Sequence, residues 1–80
     1  MKPAEAQHEI EKQITGAIDV VKNNHELTDL QLDFVRSSLN NASRVLLPFQ
    51  DKMDSDVRDR IIFLIREIND MVYSMKKTTE

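Results

Sequence analysis

Apolar residues recur along the first quarter of the chain at intervals of three and four positions, which is the spacing of one face of an α-helix. This stripe consists of Ile10, Ile14, Ala17, Ile18 and Val21. Pro3 stands where the first turn of a helix tolerates proline, and two asparagines, Asn23 and Asn24, follow the last apolar residue of the stripe. The pattern predicts a first helix over about residues 3–23.

A second stripe begins after the clearest helix-start signal in the sequence. Thr28 and Gln31 have the spacing of a capping box, in which each side chain satisfies a free backbone N–H group of the first turn. The apolar residues that follow alternate the same two spacings: Leu32, Val35, Leu39, Ala42, Leu46 and Phe49. Pro48 lacks an N–H group and clashes with the preceding turn of a helix. We therefore predict a second helix over about residues 28–47, with an end or a kink at Pro48.

The last third of the chain carries the longest stripe. Asp54 and Ser55 are both residue types that cap a helix N-terminus. The apolar positions after them are Val57, Ile61, Leu64, Ile65, Ile68, Met71, Val72 and Met75. This pattern predicts a third helix over about residues 55–77.

Three helices of similar length with short connections favour antiparallel neighbours. The chain has 80 residues, enough for one domain, and only 1 Gly and 2 Pro to punctuate strands and turns. We predict an all-α, three-helix antiparallel bundle that forms a single domain over residues 1–80. Residues 61–65 are five successive apolar residues, which favours burial beyond one face of a surface helix. A homodimer in which the third helix pairs with a second copy therefore stays open.

Composition narrows the classes of partner. The net charge of −3 argues against nucleic acid, which is normally bound by clustered lysine and arginine. Arg58, Arg60 and Arg66 alternate with acidic residues, so a DNA-associated regulator is only the second alternative. The chain has no cysteine, which suits a reducing compartment, and no apolar run of ~18 residues that could span a membrane. We expect a cytoplasmic protein without membrane association.

Candidate catalytic residues are few. His8 lies off the apolar stripe of the first predicted helix and His25 lies in the connection that follows it. These histidines lack the spacing that would place two metal ligands on one helix face. A glycine-rich phosphate loop is absent from the sequence, and no serine–histidine–aspartate set can be assembled from it. We predict that the protein is not an enzyme and uses no metal or other cofactor.

Two short motifs are typical of one known family. Residues 8–10 read His-Glu-Ile, and residues 27–34 read Leu-Thr-Asp-Leu-Gln-Leu-Asp-Phe. These match a His-Glu-[Leu/Ile] box on a first helix and a Leu-Thr-x-x-Gln-x-x-[Tyr/Phe/Leu] opening of a second helix. On these motifs, residues 8–53 resemble the helical-hairpin dimerisation and phosphoacceptor domain of sensor histidine kinases.

The resemblance implies a function for the first motif. His8 would accept a phosphoryl group that passes to an aspartate of a response regulator, and Glu9 would act as its base. The sequence departs from the family at Gln13, which stands where the family's box usually continues into a proline. The resemblance thus implies a phosphorelay component, or a histidine-kinase mimic, that uses His8.

The main functional hypothesis comes from large apolar residues that the predicted helix–helix contacts do not bury. Five large side chains lie on or beyond the edges of the predicted stripes: Phe34, Leu47, Ile62, Phe63 and Tyr73. Residues of this kind anchor helices to partner proteins. We predict a small non-enzymatic module that binds a protein partner through these five residues and acts as a regulator or adaptor.

Overall fold

The computed structural model describes residues 2–78 and, within them, three α-helices. Helix α1 spans Pro3–Lys22, α2 spans Asp29–Leu46 and α3 spans Ser55–Thr78, and a single 3₁₀ turn, Leu47–Phe49, follows α2. The predicted all-α three-helix bundle is confirmed, and each predicted helix boundary lies within one residue of the observed one. None of the helices in this part of the chain is long and apolar enough to cross a membrane.

The start of α2 is fixed by the predicted capping box. Gln31 donates its backbone N–H to Thr28 Oγ1 at 3.2 Å, and Thr28 donates its backbone N–H to Gln31 Oε1 at 2.9 Å. The two bonds satisfy N–H groups that would otherwise have no partner within the helix. A cap of this kind contributes about 1 kcal/mol, and it holds the first turn of α2 in place.

Pro48 ends α2 without kinking it. The Leu47 N–H still donates to the Ser43 carbonyl, the bond of a regular α-helix, and the chain then tightens into the 3₁₀ turn that contains Pro48. Proline is tolerated there because the first residues of a helix need no intrahelical N–H bond. The backbone N–H groups of Lys52 and Met53 both donate to the Phe49 carbonyl, which turns the chain toward α3.

The predicted stripes converge on one core. The most deeply buried large side chains are contributed one by each helix: Ile10, Val35 and Ile68. Around them lie further buried apolar residues, namely Ala6, Ile14, Ala17, Val21, Leu39, Ala42, Leu46, Ile61 and Val72. Buried side chains therefore run along the whole length of an elongated bundle measuring 42 × 19 × 17 Å.

The three helices are not equally close to one another. Helices α1 and α2 pack against each other most extensively, whereas α3 packs less against α1 and least against α2. Small buried side chains explain the close pair, because Ala6 and Ala17 of α1 and Ser38 and Ala42 of α2 leave room for the two backbones. The buried residues of α3 are bulkier: Ile61, Ile68 and Val72. Without small buried residues of this kind, α3 has less scope for close backbone packing against the α1–α2 pair.

Most of the apolar run at residues 61–65 of α3 is buried or half-buried within the bundle. Ile61 is buried, and Ile62, Leu64 and Ile65 are half-buried and pack against the core. Phe63 alone faces away and is 60% exposed. The surplus apolar surface of this run is therefore the ring of Phe63.

Candidate functional site

Four of the five predicted partner-binding residues lie on the surface. Phe34, Leu47, Phe63 and Tyr73 are exposed, as are Leu30 and Met71. Ile62 differs, because it lies beside the buried face of α3, is half-buried and packs against the core. Its contact with the core gives Ile62 a part in the stability of the bundle, and its role in partner binding stays a prediction.

The first exposed apolar surface, here called the α2 flank, consists of Leu30 and Phe34. The two residues are one helical turn apart and so lie on the same side of α2. The ring of Phe34 lies over Gly16 of α1, since a Cβ atom built on Gly16 would stand 3.6 Å from Phe34 Cζ. Leu30 is 82% exposed and Phe34 is 49% exposed. Leu30 is absent from the predicted partner-binding residues, although its four-residue spacing from Phe34 is a signal that identifies it.

Gly16→Ala is expected to raise the free energy of unfolding by about 0.5–1 kcal/mol, because alanine favours a helix interior over glycine. Gly16 does not have a positive φ angle, and the added methyl group would meet Phe34 at an ordinary van der Waals distance. Urea unfolding should show a higher midpoint with an unchanged slope. A lower midpoint would show that the ring of Phe34 needs the space above the glycine.

A second exposed surface, here called the outer stripe, runs along α3. It contains Phe63, Arg66, Asp70 and Tyr73, whose spacings of three, four and three residues keep them on one side of the helix. All four are exposed, Tyr73 by 69%. This side is opposite to Ile68, which is buried in the core. The outer stripe is thus an exposed aromatic–charged surface on the side of α3 opposite the core, and Asp70 also lies at the edge of a groove between α3 and the end of α1.

Two open grooves lie between α1 and α3, where the bulky residues of α3 hold the helices apart. The first has a volume of about 540 Å³, with Ile14, Ile18 and Leu64 among its apolar lining. The second, about 480 Å³, is lined in part by Met71 and Met75. Among the described residues there is no cluster of three histidine, cysteine or acidic side chains that could hold a metal ion.

The motif that resembles a phosphoacceptor box does not form a histidine–acid pair. His8 is exposed on α1, while Glu9 Oε1 accepts a hydrogen bond from Gln13 Nε2 at 3.0 Å. Adjacent helix positions point about 100° apart, so the carboxylate of Glu9 is directed to Gln13 one turn onward. Gln13 is the residue at which the sequence departs from the family.

The three arginines of α3 do not form a basic surface. Arg58 Nε lies 3.3 Å from Asp59 Oδ1 in an ion pair. Arg60 lies two residues after Arg58, and Arg66 lies six residues after Arg60. At about 100° per residue these separations place the three side chains on different sides of α3. Such a distribution provides no continuous track for a nucleic-acid backbone.

No family model, no curated protein and no solved structure matches this chain. The α2 flank and the outer stripe are therefore the best candidates for a functional surface.

Proposed function

We propose that the protein is a non-enzymatic interaction module, which acts as a regulator or adaptor by binding another protein through the α2 flank. The observation that supports this proposal is the pairing of Leu30 with Phe34. A single exposed leucine is ordinary, but an exposed leucine and an aromatic ring one turn apart form an apolar ridge. Helices that bind partner proteins use anchors with this spacing.

The helical turn beneath the flank is already formed before any partner binds. The capping box at Thr28 fixes the turn that carries Leu30, and the ring of Phe34 rests on α1 above Gly16. Anchors that are already ordered lose less conformational entropy on binding. The flank is therefore suited to bind a groove in a partner without rearrangement of the bundle.

Polar side chains border the flank along α2. Ser37 and Asn41 are exposed and follow Phe34 on the same side of the helix. Apolar anchors surrounded by hydrogen-bonding groups are typical of protein interfaces. Loss of binding is thus expected to follow mainly from changes to Leu30 and Phe34, with smaller effects from the polar border.

The test compares three forms of the chain as affinity baits in an extract of the organism that encodes it. Leu30→Asp should reduce the recovery of the partner by about tenfold or more, because it replaces an apolar anchor with a charge. Ala4→Asp is the matched control, because it adds the same charge at an exposed apolar residue of α1 that lies outside the α2 flank and outside the five predicted partner-binding residues. Quantitative mass spectrometry of the bound proteins gives the measurement.

The proposal fails if the unchanged chain, Leu30→Asp and Ala4→Asp retain the same proteins in equal amounts, or if no protein is retained by any of them. Circular dichroism should show the same helix content for all three forms. This check is informative because a residue as exposed as Leu30 contributes little to the core.

The phosphorelay alternative stays a prediction. No contact in the described part of the chain favours it, because the carboxylate next to His8 is bonded to Gln13. A cytoplasmic location also stays a prediction and belongs to the same proposal.

A further inference from the structure

We propose that the outer stripe of α3 forms an antiparallel homodimer, so that one partner of the module is a second copy of this chain. The inference rests on the proposed function in that it names a partner for an interaction module. It uses a different face of the bundle, because the α2 flank lies on α2 beside α1 and the outer stripe lies on α3.

The sequence of the stripe is symmetric about residue 68. Phe63 and Tyr73 each lie five residues from this midpoint, and Arg66 and Asp70 each lie two residues from it. Equivalent positions on the two sides of the midpoint therefore carry an aromatic pair and a pair of opposite charges. A helix with this arrangement is complementary to a copy of itself that runs in the opposite direction.

An antiparallel copy with its two-fold axis at the midpoint aligns all four residues at once. Phe63 then lies opposite the partner's Tyr73, and Arg66 lies opposite the partner's Asp70. Two-fold symmetry repeats both contacts, as expected of an isologous interface. The alternating spacings of three and four are those of the contact seam between two packed helices.

The charges select this orientation over a parallel one. In a parallel pair Arg66 would face the partner's Arg66, and Asp70 would face the partner's Asp70, so both contacts would be repulsive. Polar residues in a helix–helix seam are known to fix register and orientation in this way. Among residues 2–75 neither Arg66 nor Asp70 takes part in an ion pair, so both are available to a partner.

The position of the stripe allows dimerisation without a change in the bundle. Ile68, at the level of the two-fold axis, is buried on the opposite side of α3. The rings of Phe63 and Tyr73 are exposed and gain cover only from outside the bundle. One helix pair makes a small interface, below the ~1,200 Å² of a standard one, so we expect a dissociation constant in the micromolar range.

Charge reversal tests the proposal on the full chain by sedimentation equilibrium over a series of concentrations. Arg66→Asp and Asp70→Arg should each be monomeric where the unchanged chain is dimeric, with a dissociation constant raised at least tenfold. An equimolar mixture of the two variants should dimerise again, because one supplies two acids and the other two arginines. The double variant Arg66→Asp/Asp70→Arg should dimerise by itself, because the exchange preserves the symmetry of the stripe.

Orientation is measured with a spin label. The chain has no cysteine, so Asp56→Cys provides a unique attachment point in the exposed first turn of α3. Residue 56 lies twelve positions before the midpoint, and an antiparallel dimer therefore separates the two labels by about 36 Å along the helix axis. A parallel dimer would bring them to about 10 Å. Pulsed electron resonance distinguishes the two distances.

Three outcomes overturn the inference. The first is a strict monomer at concentrations up to about 500 µM, a hundredfold above a low-micromolar dissociation constant. The others are a dimer whose dissociation constant neither charge reversal changes, and a label separation near the value for a parallel dimer. Circular dichroism of each variant confirms that the helices are retained. Failure here is separable from failure of the proposed function. Arg66→Asp should leave capture by the α2 flank unchanged, and Leu30→Asp should leave the dimer unchanged.

Discussion

Ile10→Ala is expected to lower the free energy of unfolding by about 3 kcal/mol, within the range found for removal of large buried aliphatic side chains. Ile10 is completely buried, and it belongs to a core cluster whose members come from three different helices. Neighbours fixed in this way can close only part of the resulting cavity. Because a small domain has a total stability of roughly 5–15 kcal/mol, this one change removes a large share of it. Urea unfolding followed by circular dichroism gives the measurement.

Leu47→Ala is the control for this prediction. It is a comparable truncation at a residue that is 63% exposed, and its expected effect is within about 0.5 kcal/mol. A loss below about 1 kcal/mol for Ile10→Ala would show that the core collapses around the missing atoms. The shared core would then be looser than its burial indicates.

The helix boundaries were predictable because their signals are local. The capping box at Thr28 determines where α2 begins, and Pro48 prevents the α-helix from continuing past Leu46. Both effects depend only on residues within one turn of the helix end. The sequence left open whether Pro48 ends or bends the helix, because the answer depends on whether the next turn can tighten into a 3₁₀ turn.

The sequence did not predict that α1 and α2 pack more closely with each other than with α3. Ala17 and Ala42 are ordinary members of their apolar stripes, and only the folded chain shows that both are completely buried. Periodicity reports which face of a helix is buried but not which helix covers it. For the same reason the spacing of Ile62 did not show that it also packs against the edge of the core.

The candidate surfaces were predictable in part. Phe63 and Tyr73 fall outside the stripe of α3 by spacing alone, and the structure exposes both. Leu30 was not predicted, although its four-residue spacing from Phe34 indicates it; the structure shows that it is the most exposed of the large apolar residues. The catalytic possibilities could be weighed from residue types, but the bond between Glu9 and Gln13 is visible only in three dimensions.

The packing of the three helices determines where the two candidate binding surfaces lie. The close α1–α2 pair holds the α2 flank in place, and the bulky inner residues of α3 turn its outer stripe away from that pair. The two surfaces thus lie on different helices and need not compete for the same partner. An adaptor that also dimerises would present two α2 flanks, which raises the effective concentration for a partner with two binding sites.

Ala42→Leu is expected to lower the free energy of unfolding by about 1–3 kcal/mol through overpacking. Ala42 is completely buried on α2, the helix that packs most extensively against α1, so the larger side chain has to displace its neighbours. Ala4→Leu is the matched control, because Ala4 is exposed on α1 and the same substitution there should change stability by less than about 0.5 kcal/mol. Urea midpoints of the two variants give the comparison. An Ala42→Leu variant as stable as the unchanged chain would mean that small residues do not set the distance between α1 and α2, and that the support given to Phe34 by α1 has another cause.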